Sequence, residues 1–345
     1  MRKNPPTVSI IISTYNSPKA LDLVLASLAE QDVDGFEVIV ADDGSNDETK
    51  KVIESLRSKI NYDIKHVWQP HDGFRAAMIR NKGVAFAKGD YLIFLDGDTI
   101  PLVSFVKKHQ KLAENNYFIA GNRILLSPAF TQQVLQQEVS LQKWGIWHWL
   151  YAFCRGWINR FLPILPLGNL YFRYLFWDKW QGVKTCNLGV WKKDFIAVNG
   201  FDESYCGWGY EDSDLVVRLI RKGILRKDGR FAVPVLHLWH PDNNRAREPI
   251  NHKKLEEVIH STRIEAVDGV NQYIKFIPRG LPRDKAMGDY SQHPVARPFG
   301  ACPRQLRNLA ILPNLFQGGE APLSPLGEPG VHTPGEVKKL IADEL

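Results

Sequence analysis

The chain has 345 residues, enough for one large α/β domain or two ordinary ones, and 44% of them are hydrophobic, so a sizeable core can form. A formal charge of +6 and a pI near 9.0 favour acidic partners: nucleotide phosphates, nucleic acid or an anionic membrane surface. Four cysteines without CxxC or Cys/His spacing argue against a zinc site and predict free thiols in a reducing cytoplasm, and no apolar run of about 18 residues predicts a spanning helix.

Thr7–Ser13 is rich in β-branched residues and predicts a buried first strand. The basic start before it is too short for a signal-peptide core. Ser17 and Pro18 suit an N-cap and a first helical position, and Leu21, Val24, Leu25 and Leu28 repeat at helical period. Phe36–Ala41 predicts a second strand that runs into Asp42-Asp43-Gly44-Ser45. A helix over Asp47–Lys59, a strand at Asp63–Trp68 and a helix over Gly73–Ala87 follow. Tyr91–Leu95 predicts a fourth strand, ending on Asp96-Gly97-Asp98.

Strands alternating with helices predict a parallel sheet with right-handed crossovers. Its strand ends share one edge, where open α/β sheets bind ligands. Thr14 and Tyr15, Asp42 and Asp43, and Asp96 and Asp98 therefore converge. Taken singly, Asp-Gly-Asp is ordinary turn chemistry. The convergence makes it a candidate site. No GxGxxG or GxxxxGK[ST] loop follows the first strand, so dinucleotide and P-loop readings lose their support. A nucleotide diphosphate bound here needs another source of positive charge, which Mg²⁺ or Mn²⁺ on paired acids supplies. Arg75, Arg80 and Lys82 lie on the helix feeding the acid-bearing strand. A solvated helix face competes for Arg75 and Lys82, and Arg80, followed by Asn81, is the better candidate.

Tyr117–Leu126 predicts one strand carrying Arg123. From Trp144 to Trp180 aromatic residues are dense, with Lys143, Arg155, Arg160, Arg173 and Lys179 among them. The prolines at 163 and 166 exclude one straight helix. Such a segment suits a membrane interface; a buried aromatic subdomain competes. A nucleic-acid stacking platform ranks last, because no nucleic-acid motif accompanies it, and no nucleic-acid partner is expected. Gln181–Trp191 reads as loop then strand. Gly207-Trp208-Gly209-Tyr210-Glu211-Asp212-Ser213-Asp214 then precedes a helix at Leu215–Lys222, which places acids at the positive end of a helix dipole. The acids exceed what capping needs. The glycines admit a ligand, and Trp208 offers a sugar ring a flat face. Val233–His240 predicts a strand ending in histidines, with His240 a candidate third metal ligand. Arg245–Ile277 predicts one or two polar helices. Beyond about Pro278, dense Pro and Gly predict a disordered tail.

Five pieces in order, VSIIISTYN (Val8–Asn16), VIVADDGS (Val38–Ser45), IRNKG (Ile79–Gly83), GDYLIFLDGD (Gly89–Asp98) and GWGYEDSD (Gly207–Asp214), resemble family 2 glycosyltransferases of the GT-A fold. The resemblance covers roughly residues 7–240. The last piece is similar to the acceptor-side motif of β-1,4-galactosyltransferases and bacterial chondroitin-type polymerases. One catalytic unit implies a single-transfer enzyme. The implied fold is α/β, a mostly parallel central sheet flanked by helices. It would occupy residues 1–277, with a nucleotide-sugar half at 7–123, an acceptor half at 124–277 holding the aromatic-rich 144–180 insertion, and the tail at 278–345.

The resemblance implies that Thr14 and Tyr15 line the base and ribose pocket and that Asp42 hydrogen-bonds the uracil. Arg80 would sit near the base or diphosphate. Asp96, Gly97 and Asp98 match the DxD motif that holds ribose and a Mn²⁺ or Mg²⁺ ion. Trp208 and Glu211 would bind acceptor, Asp212 would be the general base, and His237 or His240 would bind metal. His71-Asp72-Gly73-Phe74-Arg75 departs from the family's usual residues and leaves Arg75 a donor contact without an assigned role.

The implied activity is inverting, metal-dependent transfer from a UDP-sugar to a glycan or lipid-linked glycan, in bacterial cell-surface polysaccharide or lipopolysaccharide synthesis. The expected location is cytoplasmic, on the inner face of the membrane. Alternatives are a sugar nucleotidyltransferase, whose Gly-rich loop is missing, and a non-catalytic nucleotide-sugar-binding protein. The intact Asp96, Asp98, Glu211 and Asp212 argue against the latter.

Overall fold

A computed structural model describes residues 5–136 and 141–274. The expected tail at 278–345 lies outside the described residues. The first half alternates as the sequence predicts: β1 (Val8–Thr14), α1 (Pro18–Ala29), β2 (Phe36–Asp42), α2 (Asp47–Leu56), β3 (Asp63–Trp68), α3 (Ala76–Phe86) and β4 (Tyr91–Asp96). Then come β5 (Thr99–Pro101), α4 (Phe105–Leu112), β6 (Tyr117–Ala120), β7 (Asn122–Leu125), α5 (Pro128–Leu135) and α6 (Ile146–Cys154). The chain continues with β8 (Asn187–Trp191), α7 (Lys192–Ala197), α8 (Glu211–Arg221), β9 (Leu225–Asp228), β10 (Pro234–His237), α9 (Glu248–His260) and α10 (Asn271–Ile274).

The main sheet has strand order β3-β2-β1-β4-β8-β6-β9. Its first four strands are parallel, and β8 runs antiparallel to both neighbours. The strands are mostly apolar because both faces are covered; the buried Ser9, Glu37 and Lys65 satisfy one another across β1, β2 and β3. Ile10, Val38 and Ile93 pack with Leu21, Leu25 and Ile53 of α1 and α2 on one face. Ile11, Ile39 and Phe94 pack with Ile79, Leu215 and Leu219 of α3 and α8 on the other. The donor and acceptor halves expected from sequence share this sheet, since β8 and β9 belong to it.

The predicted strand Tyr117–Leu126 divides at Gly121. Residues before it join the main sheet; residues after it pair with β10 in a second sheet of order β5-β10-β7. A Cβ on Gly121 would lie 2.2 Å from Asn187 Cγ. The Asn187 amide fills that space and donates to the Asn122 and Val233 carbonyls, pinning both strands where they part. Gly121→Ala should therefore overpack this corner and cost about 1–3 kcal/mol. Differential scanning calorimetry reads this as a lowered unfolding midpoint; an unchanged midpoint would contradict the close packing.

In the second sheet His237 of β10 sits opposite Thr99 of β5. That register sets the histidine-bearing strand end beside Asp98. The predicted strand Val233–His240 is shorter than expected, and the four residues of β10 stop at His237.

The aromatic segment divides too. Trp149 is 3% exposed, and Trp157 stacks on Phe130 at 4.9 Å between ring centroids, so these two belong to the core. Trp147 is 76% exposed. No described helix is long and apolar enough to cross a membrane. Cys154 and Cys186 are free thiols.

Candidate active site

Strand register assembles the edge. Ser13 lies opposite Asp96 in the β1–β4 pair, and Thr14 opposite Asp42 in the β1–β2 pair. The Gly97 N–H donates to the Ser13 carbonyl at 2.7 Å, which holds the Asp96-Gly97-Asp98 turn against the end of β1. Thr14 Oγ1 is buried there without a partner.

Arg80 of α3 joins the two motifs that the sequence keeps far apart. Its Nη2 donates to Asp96 Oδ1 at 2.9 Å, its Nη1 to Glu211 Oε1 at 3.0 Å, and its Nε to Ser13 Oγ at 3.3 Å. Burial works against the Arg80 charge, but the Asp96 and Glu211 carboxylates outweigh it and raise the pKa. Glu211 is pushed above the usual carboxylate range, first by burial and then by Asp212, with Arg80 opposing. Arg80 is thus held between protein carboxylates and braces the site. The next residue supports this role. The Asn81 amide bonds both the N–H and the carbonyl of Phe201 and reaches Glu203 at 2.8 Å, which fixes the loop before the Gly207–Tyr210 run.

That run is a sharp entry into α8. Gly207, Gly209 and Tyr210 all have positive φ, at 78°, 104° and 71°. This left-handed backbone suits glycine and strains tyrosine. It delivers Glu211 and Asp212 in the first turn of α8, a turn earlier than the predicted helix start. Asp212 Oδ1 accepts from the Ser213 N–H at 2.7 Å and from Ser213 Oγ at 3.3 Å. Asp214 differs. It is fully buried, bonded to Arg218 at 2.6 Å and to Arg263 at 3.0 Å, so the third acid of the motif ties α8 to the fold. Trp208 lies under the Arg245 guanidinium, 4.5 Å from its ring centre.

Asp98, His237 and His240 form the one metal-type cluster found among the described residues, each offering a ligand atom within 4.8 Å of the others. Asp98 Oδ2 is 3.4 Å from His240 Nε2, and Asp98 Oδ1 is 3.8 Å from His237 Nε2. The Leu238 N–H donates to the Asp98 carbonyl at 3.0 Å and locks this approach. Asp98 Oδ1 is buried with no hydrogen-bond partner. Burial, and then the Asp96 charge, push Asp98 up to about 7, while burial and Arg123 push His237 down to about 4. His240 Nδ1 lies 2.7 Å from the Pro241 carbonyl, which keeps the proton on that nitrogen and leaves Nε2 open toward Asp98. An orphaned carboxylate oxygen facing two imidazoles fits a divalent cation. With two nitrogen donors, Mn²⁺ fits better than Mg²⁺, which prefers oxygen.

The base-side residues divide. Tyr15 is 44% exposed and stacks on His71 at 4.3 Å, 13° from parallel. Asp42 is 1% exposed. Its Oδ1 accepts from the Ser45 N–H at 2.8 Å, and its Oδ2 lies 2.9 Å from His66 Nε2. One oxygen is thus engaged inside the loop and the other by β3. Asp43, given no role from sequence, bonds Gln69 at 2.6 Å and the Arg75 N–H at 2.7 Å. Burial raises its pKa against those bonds. The Arg75 guanidinium folds back on the Pro70 carbonyl at 2.7 Å and toward Asp72 at 3.6 Å, so Arg75 stabilises its own loop. His71 and Cys186 also went unassigned. Burial, and then the charges of Asp96, Asp98 and Asp212 with Arg123 opposing, push the Cys186 thiol up to about 12. Such a thiol stays protonated and is no nucleophile. That all three acids act on it places them around one spot.

Edge acids, the Asp98, His237 and His240 cluster and a braced acid pair at a helix start thus stand at the carboxyl edge of the sheet. Comparison with known proteins gives the family. The family model for glycosyl transferase family 2 matches residues 9–172, and the model described as the N-terminal domain of galactosyltransferase matches residues 173–231. Validoxylamine A glucosyltransferase of Streptomyces hygroscopicus subsp. jinggangensis is 30% identical over 236 residues, 64% of this chain and 52% of that protein. Hyaluronan synthase of Pasteurella multocida is 37% identical over 65% of this chain and 24% of its own length. Chondroitin synthase of Escherichia coli is 28% identical over 63% of this chain and 32% of its own. The chain thus spans about half or less of these relatives. Over residues 9–172 it belongs to the family 2 glycosyltransferases, and its central sheet is the mostly parallel, helix-flanked α/β sheet expected from the sequence.

Proposed function

We propose that the chain is an inverting, metal-dependent glycosyltransferase, moving a sugar from a UDP-sugar to a glycan or lipid-linked glycan acceptor. It would act in bacterial cell-surface polysaccharide or lipopolysaccharide synthesis, at the cytoplasmic face of a membrane. The observation that carries this reading is the Arg80 bridge, which sets the Asp96 edge against the Glu211-Asp212 pair.

In this reading Tyr15 and His71 hold the base, and Thr14 Oγ1 and Asp96 face the ribose. Asp98, His237 and His240 would hold Mn²⁺ or Mg²⁺, which when bound would supply positive charge against that of the departing diphosphate. Arg123, exposed at the same end, adds positive charge. Glu211 and Trp208 orient the acceptor. Asp212 takes the proton of the acceptor hydroxyl as that oxygen bonds to the anomeric carbon and the bond to the diphosphate breaks. One displacement inverts the configuration, so a UDP-α-sugar gives a β-linkage. No nucleophilic side chain is required, in keeping with a protonated Cys186.

Incubation with UDP-sugars is expected to release UDP with Mn²⁺ and to stop on EDTA addition. An Asp98→Ala/His240→Ala double variant should lose most of that release at any Mn²⁺ concentration. Pyrophosphate turnover would instead favour a nucleotidyltransferase. Donor binding without turnover for any acceptor would favour a binding protein.

A further inference from the structure

We propose that α6 and the chain flanking it form a seat for an anionic lipid bilayer; this rests on the reading above of a membrane-bound acceptor and names the surface that meets it. The sequence of α6, IWHWLYAFC, contains no Asp, Glu, Lys or Arg. A helix apolar on every side is expected to be buried on every side. Only Trp149 and Ala152 are buried. Ile146, Trp147, Tyr151 and Phe153 are exposed at 39%, 76%, 56% and 45%. Trp147 and Tyr151, one turn apart, border a cavity of about 340 Å³ shared with Trp144, His148 and Trp157.

The exposed rings stand on a firm base. Trp144 meets Trp149 at 4.8 Å, Trp157 stacks on Phe130, and Leu126 bridges to Ile158. Further along the chain Leu162, Tyr171 and Trp177 are also exposed, at 62%, 80% and 49%. Exposed apolar surface of the kind that Trp147 and Tyr151 share marks an interaction site, and Trp and Tyr favour the boundary between headgroups and acyl chains.

Charge selects the occupant. Residues 141–180 hold five basic side chains and one acid, Asp178, for a net +4. Lys143, Arg155, Arg160 and Lys179 are exposed. Arg173 is fully buried, so the exposed charge is +3; a second copy of the chain would set +3 against +3, whereas anionic headgroups complement it. Nine residues are too few to cross a bilayer, so α6 lies in its surface. The seat also adjoins the catalytic edge. α5 donates from Ser127 N to the Trp157 carbonyl and accepts at Thr131 Oγ1 from the Trp239 N–H, next to His240. An acceptor anchored in the bilayer is thereby held beside the triad.

Flotation of the full chain on vesicles of phosphatidylcholine with and without phosphatidylglycerol tests this. Binding is expected to the anionic vesicles and to weaken with salt. Trp147→Ser/Tyr151→Ser should lower partitioning about tenfold, and Arg155→Glu/Arg160→Glu should remove the preference for phosphatidylglycerol. Both variants should keep metal-dependent UDP release with a soluble acceptor, which shows that they fold. No flotation of the wild-type chain, or flotation unchanged in the variants, overturns the proposal. So does a dimer in sedimentation that Trp147→Ser/Tyr151→Ser dissociates without any vesicle binding. Flotation without UDP release from any nucleotide sugar would leave the seat standing and remove the transferase reading instead.

Discussion

Asp212→Asn is expected to lower sugar transfer by about 10²–10⁴-fold, the usual worth of a positioned general base. The amide is nearly isosteric. Its oxygen still accepts the Ser213 N–H and hydroxyl that hold Asp212 Oδ1. Geometry should survive while the ability to take a proton is lost. Calorimetric titration should find UDP affinity within a few-fold of wild type, because the Asp98 triad and the Tyr15 edge are untouched. Asp214→Asn makes the contrast. It disturbs the buried pairs with Arg218 and Arg263, so its effect should appear first in the unfolding midpoint. If Asp212→Asn kept transfer near the wild-type rate, or abolished UDP binding, Asp212 would not be the base.

Arg80→Met should be the most damaging single change to stability near the site. It removes a cation that is 4% exposed and strands Asp96 and Glu211 together. Breaking a buried pair costs about 3–5 kcal/mol. The lower end is expected, because the Asp96 side chain is 31% exposed and water can recover part of its solvation. Arg80→Lys keeps the charge but cannot reach both acids with one ammonium, so it should lose activity beyond its loss of stability. Arg80→Met/Glu211→Gln should regain part of the unfolding midpoint, since one stranded charge is gone, without regaining turnover. Additive unfolding losses in that pair would mean that Arg80 and Glu211 are not coupled.

The parallel half of the fold was legible because each strand is apolar on both faces and each helix repeats at its own period. Leu21, Val24, Leu25 and Leu28 all face the core as that period predicts. The division of Tyr117–Leu126 was not legible. Gly121 is an ordinary residue until Asn187, far along the chain, occupies the space beside it. The acids at the strand ends were legible as a convergent group, since a parallel sheet has only one carboxyl edge. Which of them are exposed to a ligand was not. Asp42 and Asp43 are adjacent and chemically identical, and of their partners only Ser45 is local; His66 comes from β3, and Gln69 and Arg75 from the chain after it. Arg80 was found by its place ahead of Asn81, but its task depends on Glu211, reached only through tertiary packing. The sequence offered His237 and His240 as alternatives; the β5–β10 register and the turn after β10 bring both near Asp98, which only tertiary structure could show.

The pairing of β10 with β5 also carries a consequence for biosynthesis. Asp98 leaves the ribosome 139 residues before His237. At 5–20 residues per second that interval is roughly 7–28 s. Throughout it, the nascent β3-β2-β1-β4 sheet can form, but its β4 edge stays unpaired until β8 is made. An open edge of a strand as apolar as Tyr91–Leu95 is an aggregation hazard. The same delay means that a chain halted before β10 lacks both histidines. The Asp98, His237 and His240 cluster is thus completed late, only once the closing strand has arrived, and its completion separates finished molecules from partial ones.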